Sequence, residues 1–293
     1  MIQSDAKSWP PKRYIKKFHK RILEFRQWLT RDIRIIDGQA EYRFRCETVR
    51  EFNRCLKIFI KEPGTVDWIN QNVKSGDVFY DVGANIGVYT ILAASRTGKN
   101  GRVYAFEPHG ANFARLIDNI TANNLQQIVF PNNFALHDKE GFFPFHYSSS
   151  EIGTSDSQLS VRNDEAMDEN VTRISELKYA TTIDHLIDSG EIKAPDHIKI
   201  DVDGNEILIL EGMSHLLSGT RRPLSIQVEM NDPHKIRIEE FMKDHQYRLT
   251  HKHYTRSGSR QIKEGSDPEA LSYNAIFRHE DWSYSLGSTL INP

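Results

Sequence analysis

The sequence predicts an α/β chain: a mostly parallel sheet with an antiparallel pair at its C-terminal edge, preceded by an N-terminal helical extension. Three observations carry that prediction. From residue 78 onward, short β-prone apolar runs alternate with amphipathic segments, a rhythm that implies right-handed crossovers between parallel strands. The run VFYDVGANIGVYTILAA at 78–94 breaks an apolar strand with an acid, two glycines and an asparagine just before a helix begins. Two late β-prone runs, at 247–250 and 273–277, fit a hairpin closing one edge of the sheet.

The elements follow in order. Between Lys12 and Arg34 nine Lys or Arg stand against Glu24 and Asp32, a local charge of +7. Tyr14, Phe18, Ile22, Phe25 and Leu29 are spaced 4, 4, 3 and 4 apart, which is one face of a helix. Trp9 and Trp28 add apolar bulk. Such a helix either packs on the main domain with a solvated cationic face, docks an acidic partner or lies on an anionic membrane surface. Residues 47–62 read as helical, KEPGT at 61–65 as a turn and 66–73 as a further helix. Strands are expected at 78–82, 102–106, about 128–130, 197–202 and 224–230, with helices at 87–95, 112–122, 206–217 and 235–244 between and after them. Residues 134–182 break the rhythm. FFPFHY at 142–147 has strand character and the polar stretch after it is turn-rich, too long for an ordinary connection. The organisation expected is therefore a basic helical extension over 1–71 and one domain over 72–293, carrying an insertion or lid at about 139–182.

Bulk composition limits the function classes. With 293 residues, 38 basic and 40 acidic side chains and a net charge of −2, the chain shows no global preference for polyanions. No run approaches the roughly 18 apolar residues of a membrane span, and the N-terminus lacks a signal-peptide core. Cys46 and Cys55 give neither metal spacing nor a disulfide framework, and read as reduced thiols of a cytosolic protein.

The glycine turn is where the chemistry begins. Gly83 and Gly87 remove Cβ atoms where the backbone must turn sharply and approach something closely, and Asn85 tolerates a left-handed conformation. Free N–H groups at the start of the following helix face the crevice. Glu107 closes the second strand 20 residues after Gly87, the separation at which a carboxylate reaches a ribose diol. The turn departs from the G-x-G-x-x-G of dinucleotide sites. With Asp81 before it, it suits an ammonium and a sulfonium better than a pyrophosphate, and S-adenosylmethionine fits that description.

At this point the chain resembles a known family. DVGANIGVYT at 81–90, FEP at 106–108, IKIDVDGNEILILEGM at 198–213 and VEMN at 228–231 resemble the FkbM family of S-adenosylmethionine-dependent methyltransferases, over about residues 60–230. The resemblance implies a Rossmann-like, seven-stranded class I methyltransferase sheet, S-adenosylhomocysteine as product, and O-methylation of a sugar or natural-product hydroxyl. It further implies that Asp81, Gly83, Asn85 and Gly87 hold the methionine part, Glu107 the ribose, and Asp138 the neighbourhood of the adenine. Asp201 would face both cofactor and acceptor.

Methyl transfer is an in-line displacement in which positioning removes much of the barrier, and a sugar hydroxyl needs a base. Asp201, Asp203, Glu206 and Glu229 are expected near the carboxyl ends of adjacent strands, where such sheets place their ligands, and crowded carboxylates raise one another's pKa. Asp201, Asp203 and Glu229 are the catalytic candidates. Glu206 equally suits the first turn of its helix, and Asp203 a turn. These carboxylates also suit Mg²⁺ or Ca²⁺, but their spacing does not force a metal site and none is assigned. His109 either acts as a base or opens a helix at the surface. The acceptor expected is a small molecule or glycan, with the polar segment at 148–170 closing over it. Alternatives are a nucleic-acid methyltransferase that binds phosphates with the basic helix, and a non-catalytic cofactor-binding protein. Against the first, Asp201-Val202-Asp203-Gly204 stands where an NPPY-like base-gripping motif would be.

Overall fold

Side chains that alternate across five short apolar strands need cover on both faces, and the chain supplies it with helices before and after each strand. The computed structural model describes residues 12–29, 32–38, 40–160 and 174–281. Trp9, positions 30–31 of the basic stretch and positions 161–173 of the insertion lie outside the described residues. In chain order, α1 (Lys12–Leu29) precedes the strands β1 (Asp32–Asp37) and β2 (Ala40–Arg45), then α2 (Val49–Leu56), α3 (Ile58–Lys61) and α4 (Pro63–Asn72). The alternating units follow as β3 (Val78–Val82), α5 (Val88–Thr97), β4 (Arg102–Phe106), α6 (Gly110–Ala122) and β5 (Val129–Asn132). Next come four strands of the insertion: β6 (Ala135–Leu136), β7 (Gly141–His146), β8 (Gln158–Leu159) and β9 (Ser175–Thr181). The rest is α7 (Ile183–Asp188), β10 (His197–Ile200), α8 (Glu206–Glu211), α9 (Ser214–Ser218), β11 (Ser225–Met230), α10 (Lys235–Asp244), β12 (Tyr247–His253), α11 (Arg256–Lys263) and β13 (Tyr273–His279).

The central sheet has seven strands in the order β12-β13-β11-β10-β3-β4-β5. All neighbours are parallel except β13, which runs antiparallel to β11 and β12. Both the seven strands and the closing hairpin match the sequence reading. On one face Tyr80, Val82, Phe106, Ile198 and Ile200 pack under Leu186, Leu210 and Met242 from α7, α8 and α10. The other face sets Phe79, Val103 and Ala105 against Trp68, Ile91 and Leu116 from α4, α5 and α6. This second core continues into Tyr42 and Phe44 of β2 and into Cys55 and Ile58, so residues 40–72 share it with the sheet. Period two therefore puts Asp81, His197 and Lys199 on the α4–α5 side, in the middle of an otherwise apolar layer.

Three elements depart from expectation. The β1–β2 hairpin stands where a helical extension was expected, because Ile33, Ile35, Tyr42 and Phe44 alternate with charged residues. Asn119 of α6 and Asn123, which caps that helix, then grip its edge at Arg45 N (2.7 Å) and Arg43 N (2.9 Å). The helix expected at 206–217 is interrupted around Gly212, where a Cβ would lie 2.1 Å from the His137 carbonyl oxygen. The insertion is a four-stranded sheet of its own, ordered β6-β9-β7-β8. Cys46 and Cys55 are free thiols with sulfurs 3.7 Å apart. No helix among the described residues is long and apolar enough to cross a membrane.

Candidate active site

The crease between β3 and α5 is formed by three residues in left-handed conformations: Gly83 (φ 78°), Asn85 (φ 52°) and Gly87 (φ 89°). Gly83 has no room for a side chain, since a Cβ would sit 1.9 Å from the Asp201 carbonyl oxygen. A Cβ at Gly87 would press to 2.5 Å from Leu116. Asn85 tolerates its strained backbone because its own Oδ1 accepts from Ile86 N at 3.0 Å and its Nδ2 donates to Thr154 O at 2.7 Å.

Glu107, at the end of β4, is buried against this turn. It accepts from Asn85 N (2.6 Å) and His109 N (2.8 Å). Burial raises its pKa to about 7 despite those two donors. His109 is buried rather than at the surface: Nδ1 caps α6 by accepting from Asn112 N (3.3 Å), and Nε2 lies 2.9 Å from Ser149 O. Both nitrogens are engaged in holding structure, which leaves little for the base role considered for it. Glu107 and the turn open on a pocket of about 650 Å³ whose apolar wall includes Phe134, Leu136, Phe145 and Ile209. Carboxylate at one side and apolar walls at the other fit a ribose and a purine, so the donor set suits an adenosyl cofactor.

Asp81 is not at the pocket surface. It lies fully buried beneath the turn, accepts from Thr90 Oγ1 at 2.6 Å, and faces Lys199 Nζ at 3.5 Å. Lys199 was not singled out by sequence reasoning, although a lysine in phase with Asp201 on a strand flanked by isoleucines is itself a signal. In register it pairs with Asp81 across β3 and with Gln227 across β11. Its ammonium lies 3.0 Å from Asp201 and 5.3 Å over the Tyr89 ring. Burial opposes the charge on Lys199, but Asp201 and Asp81 override it and its pKa is raised. Burial likewise opposes the Asp201 carboxylate, but Lys199 prevails and lowers its pKa.

Glu229, one strand further at the end of β11, behaves oppositely. Burial first, then the charges of Asp201, Asp203 and Glu206, push its pKa up to about 9. A side-chain hydrogen bond joins it to Asp201, and Asn231 Nδ2 donates to it at 2.9 Å. Two carboxylates in one crevice thus have pKa values driven apart, Asp201 lowered by Lys199 and Glu229 raised by burial and the neighbouring carboxylates.

The remaining acids hold backbone. Glu206 Oε1 accepts from Val202 N (3.2 Å) and Gly204 N (3.0 Å), closing the loop after β10. Asp203, left-handed at φ 61°, accepts from Asp156 N at 2.8 Å. Asp138 does not line the pocket; its carboxylate lies 2.6 Å from His137 Nδ1, and Phe134–Leu136 form that wall instead. Residues 153–159 of the insertion cross this first pocket as a strap, Thr154, Ser157 and Leu159 lining it. Besides Asn85 and Asp203, Arg54 donates to Gly153 O (3.2 Å) and Ser155 Oγ (2.7 Å), and Asn205 Nδ2 donates to Leu159 O (2.7 Å). The described part of the expected lid therefore covers the pocket where a nucleoside fits.

A second cavity, of about 430 Å³, adjoins the first along Gly83, Asn85 and Asp201, and continues past Glu62, Tyr89 and Lys199 to Arg54, Lys57 and Lys61. Among the described residues no group of carboxylates, histidines and cysteines is arranged to hold a metal ion; beside Asp81 and Asp201 the available space is taken by the Lys199 ammonium.

Comparison with known proteins narrows the chemistry. A family model, the methyltransferase FkbM domain, matches residues 81–249. The chain is 28% identical over 206 residues to the hexuronic acid methyltransferase AglP of Haloferax volcanii, covering 68% of this chain and 78% of that protein. Among solved structures, methyltransferase FkbM from Methylobacillus flagellatus aligns with a TM-score of 0.43 at 16% identity, over 69% of this chain and 43% of that one. A putative rRNA-methylase from Clostridium thermocellum aligns with a TM-score of 0.46 at 15% identity, over 74% of this chain and 93% of that one.

Proposed function

This chain belongs to the FkbM family of S-adenosylmethionine-dependent methyltransferases, and from that premise we propose that it O-methylates a hydroxyl group of a sugar or glycan. The observation that carries the reading is the position of Asp201, whose carboxylate stands where the nucleoside pocket and the adjoining polar cavity meet. The relative named for hexuronic acid supports a carbohydrate acceptor.

When bound, S-adenosylmethionine supplies an electrophilic methyl group on a sulfonium. Glu107 would take the ribose diol, and the turn at Gly83, Asn85 and Gly87 would hold the methionine part. Asp81 acts from below by holding Lys199. Asp201 accepts the hydrogen bond of the acceptor hydroxyl and so aims an oxygen lone pair along the line of attack. A free sugar hydroxyl is far too weak an acid for a carboxylate to ionise in advance. As the new C–O bond forms, however, the same proton becomes strongly acidic, and a carboxylate kept ionised by Lys199 is then a competent acceptor. Glu229, protonated at neutral pH, holds Asp201 through its hydrogen bond; Asp203 positions the strap.

Methyl-labelled cofactor offered with polysaccharides and glycosides is expected to label carbohydrate as an alkali-stable ether. Asp201→Asn is expected to reduce turnover by about 10²–10⁴-fold while changing cofactor affinity far less. Label found in RNA or protein alone would overturn the assignment, as would an Asp201→Asn variant with full turnover.

A second reading concerns α1. Phe18 (64% exposed) and Ile22 (47%) lie one turn apart, flanked by Lys17, Lys20 and Arg21. We propose that this helix rests on an anionic lipid surface, apolar side down. Sedimentation with phosphatidylserine vesicles, but not with neutral phosphatidylcholine ones, is the expected result; equal binding to both or to neither rejects it.

A further inference from the structure

The outer end of the second cavity leads into a wider cleft between α3 and α11, of about 1140 Å³, which shares Lys57 and Lys61 with it and adds Arg256, Arg260 and Lys263. Five cations line this cleft and no acid does. Lys61 is paired with Glu62 at 2.8 Å and Arg260 with Glu264 at 3.6 Å. Lys57, Arg256 and Lys263 have no ion pair among the described residues. Solvated faces usually mix both signs, so a one-sign cleft opening onto an active site concentrates anions.

The charge is also polarised along the path. Beside Asp201 the inner cavity carries Glu62, Asn85 and the Tyr89 hydroxyl, and the one ammonium there, Lys199, is already paired with Asp81 and Asp201, whereas the cations Arg54, Lys57 and Lys61 lie toward its outer end. Tyr89 donates to Glu62 at 3.0 Å and one face of its ring is covered by Lys199, so that face is not offered to a nucleobase. Acceptors inside and cations outside match a ligand with hydroxyls at one end and a negative group at the other.

We infer that the acceptor is an acidic saccharide: its hydroxyl-bearing ring enters the inner cavity while a carboxylate or phosphate lies in the Lys57–Lys263 cleft. The inference rests on the carbohydrate reading above and narrows it. Binding is enthalpically modest at each exposed cation but summed over several, and it weakens as salt rises.

Calorimetry on the full chain loaded with S-adenosylhomocysteine tests it with four probes: a glucuronic-acid disaccharide, its carboxyl-reduced neutral counterpart, glucose 1-phosphate and a short single-stranded RNA. At least one acidic sugar is expected to bind about tenfold more tightly than the neutral one, and the tighter of the two identifies the anionic group. The triple variant Lys57→Gln/Arg256→Gln/Lys263→Gln, all exposed, is expected to lose about tenfold for the acidic probe, leaving the neutral probe and S-adenosylhomocysteine unchanged. Three results overturn the inference: no preference of the wild type for acidic over neutral sugar, no loss in the triple variant, or RNA as the tightest ligand. If the wild type fails to take up S-adenosylhomocysteine, the cofactor reading falls instead, so the two failures are told apart.

Discussion

The inner and outer parts of the site are built differently. At the strand ends, charge is buried and every carboxylate has an assigned partner: Asp81 with Thr90 and Lys199, Asp201 with Lys199 and Glu229, Glu107 with two backbone N–H groups. In the cleft beside α3 and α11, Lys57, Arg256 and Lys263 stand in solvent. Burying a charge is tolerable only with partners at close range, which ties the inner residues to fixed positions on adjacent strands. A solvated cation carries no such condition, so the outer surface is free to follow the acceptor. The common chemistry is thus fixed by geometry and the specificity by composition.

The sharpest way to break this contrast is Lys199→Met. It leaves Asp81 and Asp201 facing each other without their cation, and the expected loss is about 3–5 kcal/mol of folding stability, read as a lowered Tm. Lys57→Gln is expected to leave Tm where it is. Equal Tm values for both variants and the wild type would mean that Lys199 is no more structural than a surface lysine.

Glu107→Gln separates the two parts by ligand. Loss of a charge-assisted pair of hydrogen bonds is worth about 1.5–3 kcal/mol, so S-adenosylhomocysteine is expected to bind roughly tenfold to a hundredfold more weakly, with acidic-sugar affinity unaffected. The pH dependence has a definite sign. Glu107 titrates at about 7 in the free protein, and ribose hydroxyls donate to its ionised form. Wild-type affinity therefore rises as pH is raised through that value, while the Gln variant stays flat. A wild-type profile that is also flat would remove Glu107 from the ribose.

These contrasts also explain what could be read from the amino-acid order. Gly83, Gly87 and Glu107 are legible because backbone sterics and a strand–helix–strand length dictate their spacing. The five central strands are legible because period two survives in short apolar runs. Lys199 escaped because its meaning is lateral: only the pairing of β10 with β3 sets it opposite Asp81, and a single strand does not show its neighbour. The β1–β2 hairpin escaped because the stretch between the basic helix ending near Arg34 and the helical reading from 47 falls within one expected helical extension, whereas the Thr48–Glu51 capping box that starts α2 was an available local sign that the chain had begun a new element. Lys57 and Lys263 stand 206 positions apart, and nothing local joins them into one cleft. Asp138 shows the opposite hazard, a residue at a familiar position whose carboxylate the fold spends on His137.

Glu229→Gln is the subtlest probe, and it refines the contrast rather than breaking it. An ordinary glutamate is ionised in the unfolded chain above about 4.5. The folded protein keeps Glu229 protonated up to about 9, so between these values the native state binds the extra proton and stability falls as pH rises. Glutamine keeps a hydrogen bond to Asp201 without that proton, so the variant's advantage in Tm is expected to be absent near pH 4 and to grow with pH. Part of Glu229 stays solvated and it lies beside the charge of Asp201, which limits the gain at mildly alkaline pH to about 1 kcal/mol. Denaturation of both proteins from acid to alkaline pH reads it directly. A Tm difference that stays constant across that range would make Glu229 an ordinary surface-like acid, and the boundary between the two parts of the site would then run between β10 and β11 instead of outside them.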